Sequence, residues 1–133
     1  KNIREEKGLT YGVSASLHAM QHDSYLVIGT DVNKENRELT FSEIAREVQQ
    51  LQTERVPDSE LDTARYHFIG SLQSDLSTPF AHADKWKNIL LFDLPEEYYT
   101  SLLQRLQSAT ADQLIEVARK HFNNESFLQV SAG

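Results

Sequence analysis

The apolar residues of this chain change their spacing once, and that change limits the fold more than any other feature. From Thr10 to Met20, every second residue is apolar or aromatic, which is the period of a half-buried strand. A second run, SYLVIGTDV from Ser24 to Val32, is rich in residues that favour strands. Because only the polar residues Gln21 to Asp23 separate the two runs, they predict an antiparallel β-hairpin.

Beyond the hairpin, the apolar residues follow helical spacing. Thr40 and Glu43 fit a capping box at the start of the first helix, and Pro57 stops that helix. Asp58 is predicted to cap the next helix. The start signals of the remaining helices are, in chain order, Pro79, Pro95 and the capping box formed by Thr110 and Gln113. The pattern therefore predicts four or five helices after the hairpin.

The two ends of the chain complete the predicted architecture. Lys1 to Lys7 has the pattern of a helix tail that Gly8 closes, because glycine adopts the left-handed conformation easily. Asn123 and Asn124 are expected to end the last helix, and SFLQVSAG to close the chain as a short strand. This order predicts an α+β fold, with a small antiparallel sheet and the helices packed on one face. We expect residues 1–133 to form a single domain that is incomplete at its amino end.

The composition excludes several classes of function. The chain has 20 acidic and 13 basic residues and a formal net charge of −7, which repels nucleic acids and anionic membranes. No segment reaches the roughly 18 to 20 apolar residues of a membrane-spanning helix. There is no cysteine to form a disulfide or a thiolate site, so the compartment is not indicated. We expect no nucleic-acid partner and no membrane span.

Catalytic motifs are lacking in the sequence. The zinc signatures HExxH and HxxEH are both absent, as are GxSxG and a glycine-rich phosphate loop. His18 and His22 are four residues apart, but on a strand this spacing separates them by roughly 13 Å unless the turn folds them together. We predict two solvent-exposed histidines, no metal site and no catalytic residue in this chain.

Arg4 and Tyr11 remain as candidate functional residues. Their structural interpretation is that Arg4 complements the dipole at the end of the first helix, while Tyr11 opens a strand with one apolar side and one solvated tip. Spacing alone leaves that interpretation and a functional one open.

Three stretches of the chain together resemble a known family. They are IREEKGLTYGVSASL from Ile3, VPDSELDTARYHFIGSL from Val56 and ATADQLIEVARKHF from Ala109, and from the first to the last they span nearly the whole chain. In this order they resemble the carboxy-terminal half of the pitrilysin/insulinase family of zinc metallopeptidases.

The resemblance implies two similar α+β halves that close around a peptide, with zinc bound by an inverted HxxEH motif in the other half. It implies that the present half holds no metal and contributes Arg4 and Tyr11 as substrate-binding donors near the scissile peptide. Gly8 is then a structural cap, because a sharp helix end lets both side chains face one cleft. The fixed guanidinium and phenol would orient the peptide and share the negative charge that develops on its oxygen.

Three interpretations follow. The first is the non-metal half of a zinc-dependent metalloendopeptidase, which binds peptide or protein substrate and pairs with a zinc-bearing half of the same chain or of a partner subunit. The second is a non-catalytic relative that acts as a partner or scaffold subunit. The third is an acidic α+β binding module whose likeness is accidental. In each case the chain alone should be inactive, because it lacks the zinc motif.

Overall fold

The computed structural model describes residues 2–122 and 127–133. They form a π-helical turn (Asn2–Glu6), strands β1 (Val13–Ala19) and β2 (Ser24–Thr30), a 3-10 turn (Lys34–Asn36) and a series of α-helices. The helices are α1 (Arg37–Thr53), α2 (Asp58–Asp75), α3 (Pro79–Leu91), α4 (Tyr98–Ser108) and α5 (Ala111–His121). An antiparallel sheet followed by helices confirms the predicted α+β class. The predictions made for Lys1, Asn123, Asn124 and Ser126 lie outside the described residues.

The chain divides into two compact units. The β unit comprises the described residues of 1–54 and 116–133, and the helical unit comprises residues 55–115. Each unit buries apolar residues of its own, which are Ile3, Val48 and Ala118 in the β unit and Leu61, Ile89 and Ala111 in the helical unit. Within the described ranges, no helix is both long enough and apolar enough to cross a membrane.

The predicted hairpin is confirmed. Cross-strand pairs run from Val13 opposite Thr30 to Ala19 opposite Ser24, all antiparallel. At the turn, the Met20 N–H donates to the Asp23 carbonyl at 3.0 Å. Both strands therefore lie within the two predicted runs, the first of which was predicted from its alternation and the second from its residues that favour strands, and β1 begins three residues after Thr10.

The capping box predicted at Thr40 and Glu43 is wrong. Helix α1 begins three residues earlier, at Arg37, directly after the 3-10 turn. Thr40 lies inside the helix and is buried, and its hydroxyl donates to the Asn36 carbonyl at 2.8 Å. The Glu43 side chain has partners at the amino end of the chain instead, so neither residue is available to cap a helix.

The predicted closing strand is also not formed in the described part of its range. Residues 127–133 have no regular secondary structure, and the sheet of the described residues consists of β1 and β2. A strand requires a hydrogen-bonded neighbour. Within the described parts of the chain, the backbone of residues 127–133 makes no such bond to another backbone group.

In the helical unit, the observed first residues of the helices agree only partly with the start residues predicted from the sequence. Asp58 is the first residue of α2 and not its cap, because the N-cap is Pro57 and the Asp58 carboxylate pairs with Arg55 at 3.1 Å. Pro79 occupies the first turn of α3 as predicted, and Thr78 caps that helix by accepting from the Ala81 N–H at 3.2 Å.

The remaining two start signals lie close to the observed helices. Pro95 precedes α4 by three residues, and its carbonyl accepts from the Tyr98 N–H at 2.9 Å. The capping box before α5 is confirmed, since Thr110 Oγ1 accepts from the Gln113 N–H at 3.2 Å and Gln113 Oε1 accepts from the Thr110 N–H at 3.0 Å.

Arg65 links α2 to the end of α4 inside the helical unit. Its Nε donates to the Leu106 carbonyl at 3.1 Å, and its Nη2 donates to the Ala109 carbonyl at 2.7 Å. Carbonyl groups in the last turn of a helix lack intrahelical partners and carry partial negative charge. The guanidinium of Arg65 therefore supplies the cap that α4 does not supply for itself.

Candidate functional site

Arg4 lies in a turn that is wider than an α-helical one. The Lys7 N–H donates to the Asn2 carbonyl, five residues back, at 2.9 Å. This bond defines a π-helical turn over Asn2–Glu6. Turns of this kind are rare and occur frequently at functional sites, which makes the Arg4 segment a reasonable candidate.

Gly8 ends the π-helical turn in the left-handed region, with φ of 60°. Across it, the Leu9 N–H donates to the Ile3 carbonyl at 3.0 Å and closes the helix. Glycine adopts this φ without the steric cost that a Cβ brings. No atom of residues 2–122 and 127–133 lies within 4 Å of a Cβ built at Gly8, so the requirement for glycine comes from the backbone angle and not from crowding.

Two threonines fix the backbone on either side of Tyr11. Thr10 Oγ1 donates to the Asp31 carbonyl at 2.7 Å and accepts from the Gly12 N–H at 3.2 Å. Thr30 Oγ1 lies 2.8 Å from the Gly12 carbonyl and 2.9 Å from Thr10 Oγ1. The Tyr11 side chain is fully exposed, at 101%. The phenol therefore lies on a fixed backbone and is accessible to a ligand.

Sequence reasoning missed the part that the two threonines play. The alternating run begins at Thr10, but nothing in that run indicates a hydrogen bond to Thr30, which lies 20 residues away. A threonine before a strand gives no indication of a partner at the far end of the hairpin, because that pairing depends on the register.

Arg4 lines a cavity of about 420 Å³ in the β unit. The floor of this cavity is apolar and includes Val13 and Ile28 of the hairpin with Val48 of α1. Tyr11 is not among its lining residues. Among the described residues no hydrogen bond joins the Arg4 and Tyr11 side chains, although both stand at the surface on one continuous segment.

A buried carboxylate anchors the π-helical turn to α1. Glu43 is only 7% exposed, and it pairs with Lys7, with Arg46 at 3.0 Å and with the Asn2 amide at 2.8 Å. The Asn2 amide also donates to Glu47 at 2.7 Å. Hydrogen bonds from Lys7 and Asn2, with the positive charge of Arg46, lower the pKa of Glu43 despite its burial. This cluster holds the backbone that carries Arg4.

We expect Glu43→Gln to destabilise the β unit at neutral pH and to lose that effect in acid. Because the Glu43 pKa is lowered in the folded protein, the ionised carboxylate stabilises the fold above its ordinary pKa of 4.5. That contribution is lost as the pH falls through the lowered pKa. Urea denaturation followed by circular dichroism from about pH 7 to about pH 2 measures the difference between variant and parent.

Glu38→Gln is the matched control for this experiment, because Glu38 lies on the same helix in an exposed pair with Arg37. Its stability difference should be small throughout the pH range. A Glu43→Gln variant that loses the same stability at every pH would contradict the assigned role.

The histidines of the HAMQH segment do not form a metal site with their neighbours. His18 lies in β1 and stacks on Tyr25 of β2, with ring centroids 4.8 Å apart, while His22 lies in the exposed turn. Across residues 2–122 and 127–133, no group of three His, Asp or Glu side chains is placed to hold a metal ion.

Comparison with known proteins identifies a family for the segment that carries Arg4 and Tyr11. Residues 1–66 match the family model described as the peptidase M16 inactive domain. A search of curated proteins finds no match.

Two solved structures share the fold. A crystal structure of a peptidase M16 inactive domain from Pseudomonas fluorescens is 24% identical with a TM-score of 0.83, and it matches over 92% of this chain and 29% of its own length. A crystal structure of a protease from Helicobacter pylori is 18% identical with a TM-score of 0.77, over 89% of this chain and 29% of its own. The present chain therefore spans less than a third of either protein. Residues 1–66 therefore belong to the non-catalytic carboxy-terminal half of the peptidase M16 family that the sequence resembles, and the fold of the two solved structures extends over 92% and 89% of the chain.

Proposed function

We propose that this chain is part of the non-metal half of a zinc-dependent metalloendopeptidase-like protein, and that it binds and orients a peptide substrate through Arg4 and Tyr11. The observation that carries the proposal is the closed turn at Gly8, which fixes the backbone between an exposed arginine and a fully exposed tyrosine. The zinc that such cleavage requires belongs to the other half. In this proposal, residues 1–133 are one domain that is incomplete at its amino end.

The chemistry of the two side chains fits a peptide. A guanidinium donates to carbonyl or carboxylate oxygens with fixed geometry, and a phenol donates one O–H. The backbone that carries the two side chains is anchored at Glu43 before Arg4 and Tyr11 meet a ligand, and again at Thr10. The two donors therefore lose less conformational entropy when a peptide binds. Arg4 therefore positions the peptide, and Tyr11 donates to the oxygen on which negative charge develops.

The adjoining apolar cavity supports a peptide as the ligand. Its floor can take an aliphatic side chain while Arg4 and Glu47 remain at its polar boundary. Binding sites for small ligands and side chains commonly combine such a floor with a few polar groups.

The test is the affinity for peptide of the complete gene product that contains this chain. We expect Arg4→Ala to raise the KM for a set of fluorogenic decapeptides by about tenfold or more, since a hydrogen bond to a charged group contributes about 1.5–3 kcal/mol. Arg105→Ala is the control, because Arg105 is an exposed arginine of α4 in the helical unit.

An unchanged KM for Arg4→Ala, or an equal rise for Arg105→Ala, would overturn the role of Arg4. A gene product with neither HxxEH of its own nor a zinc-bearing partner would support the scaffold subunit instead.

A further inference from the structure

The β unit contains a space beside its hairpin, which we call the strand slot. It lies between β2 and residues 127–133, and helix α1 forms its floor. Two adjoining cavities of about 440 and 430 Å³ make up this space. Its lining is largely apolar and includes Leu26, Phe41, Ile44, Val48 and Leu128.

The two walls of the strand slot run in the same direction. One cavity is lined by residues 26–29 opposite 127–130, and the next by residues 28–32 opposite 130–133. Contacts with α1 agree with this order. Near the end of α1, Gln52 donates to the Phe122 carbonyl at 2.8 Å, and the ring of Phe122 lies 6.4 Å from that of Phe127. At the start of α1, Arg37 Nη1 donates to Ser131 Oγ at 3.5 Å.

Backbone groups on both walls point to a missing strand. Opposite residues of two antiparallel strands alternate between hydrogen-bonded and non-hydrogen-bonded pairs. The Met20 N–H donates to the Asp23 carbonyl, so Met20 and Asp23 form a hydrogen-bonded pair and every second pair from there is also hydrogen-bonded. Residues 25, 27 and 29 therefore bond to β1, and the N–H groups of Leu26, Ile28 and Thr30 face the slot. Within the described residues, no backbone acceptor meets them, and none meets the backbone of residues 127–133.

We infer that one β-strand, running antiparallel to both walls, fills the strand slot, and that a polypeptide segment outside residues 1–133 of the same protein supplies it. A strand antiparallel to β2 is also antiparallel to residues 127–133, so it bonds to both walls with the same favourable pattern. The side chains that it directs at α1 are apolar, because the floor is lined by Phe41, Ile44 and Val48.

The source of the strand follows from the length of the related proteins. Both solved structures are more than three times as long as the region that they share with this chain, since it spans 29% of each. This inference rests on the proposed incompleteness of the domain, but it does not depend on Arg4 or Tyr11. It also accounts for residues 127–133, which have the composition of a strand but no adjacent partner strand among the described residues.

Amide hydrogen exchange tests the inference on the present 133-residue chain and on the complete gene product. We expect the amides of Leu26, Ile28 and Thr30 to exchange at least about tenfold more slowly in the complete product, at any protein concentration. The amides of Tyr25, Val27 and Gly29 are the internal control, because they bond to β1 in both proteins.

Other results would overturn the inference. Equal exchange in the two proteins means that no strand enters, and protection that rises with concentration means that a second copy fills the slot. A gene product that consists of these 133 residues alone excludes the proposed source.

A blocking variant gives a second measurement. Ala45 lies on the slot floor, so Ala45→Trp should lower the melting temperature of the complete product more than that of the present chain. Ala83→Trp, on the exposed surface of α3, is the control and should affect both proteins equally. An Ala45→Trp effect that is the same in both proteins contradicts the inference.

The variants of the peptide site separate this inference from the proposed function. Arg4→Ala and Tyr11→Phe should reduce peptide cleavage and leave the slow exchange of Leu26, Ile28 and Thr30 unchanged. Slow exchange with unaltered cleavage would overturn only the peptide site, and fast exchange with reduced cleavage would overturn only the strand.

Discussion

Replacement of Tyr11 by phenylalanine is expected to lower the kcat of peptide cleavage by about 10²-fold, because a lost oxyanion donor typically costs about 2.7–4 kcal/mol in the transition state. The aromatic ring is retained, and Tyr11 lies two residues before β1, so the strand is not altered and the KM should change little. The measurement is steady-state cleavage of fluorogenic peptides by the complete gene product that contains this chain. A fall in kcat at constant KM is the signature of an interaction made only in the transition state.

Tyr25→Phe is the matched control for this variant. Tyr25 is half exposed on β2, and its ring stacks on His18 through contacts that phenylalanine retains. Its kcat should equal that of the parent. An unaltered kcat for Tyr11→Phe, or a rise in KM alone, would contradict the role of the phenol in charge stabilisation.

The second large effect is expected at Arg65, where alanine should destabilise the helical unit by about 2 kcal/mol. Hydrogen bonds to charged groups contribute about 1.5–3 kcal/mol each, and the removal of Arg65 leaves the carbonyls of Leu106 and Ala109 without this donor. Partial access of water to these carbonyls keeps the expected value below the sum of two full bonds. Urea denaturation followed by tryptophan fluorescence is well suited, because the one tryptophan of the chain, Trp86, lies in the helical unit.

Lys87→Ala is the comparison, since it removes an exposed ion pair to Asp84 and should be nearly neutral. Arg65→Lys should recover little of the stability, because an ammonium group cannot donate to two carbonyls with the geometry of a guanidinium. Equal unfolding midpoints for Arg65→Ala and Lys87→Ala would show that the cap contributes nothing measurable.

Local patterns predicted those parts of the fold whose partners lie nearby in sequence. The hairpin follows from an alternating run and a run rich in residues that favour strands, because only a short turn separates the two. The capping box at Thr110 and Gln113 forms because both of its bonds close within four residues. The same motif fails at Thr40 and Glu43, where Lys7 and Asn2 supply stronger partners to the carboxylate from about 40 residues away.

The parts that sequence patterns did not predict all depend on distant partners. Arg65 donates hydrogen bonds to carbonyls more than 40 residues further along, and the Thr30 hydroxyl forms a hydrogen bond with the Thr10 hydroxyl across the hairpin. The prediction of a closing strand is wrong for a related reason. Residues 127–133 have the composition of a strand, but they have no neighbouring strand among the described residues. For the candidate site, the spacing of Arg4 and Tyr11 indicated which residues to examine, whereas only the structure gave their exposure.

The width of the turn that carries Arg4 has a consequence for how the site can change. A hydrogen bond that spans five residues winds the chain less tightly than one that spans four. Deletion of one exposed residue of this turn, Glu5 or Glu6, is expected to restore ordinary winding and to rotate the guanidinium about the helix axis, with the side chains of Arg4 and Tyr11 retained. The direction in which the arginine points is therefore encoded by the number of residues in this segment, and a change in that number would redirect the site without removing any of its groups.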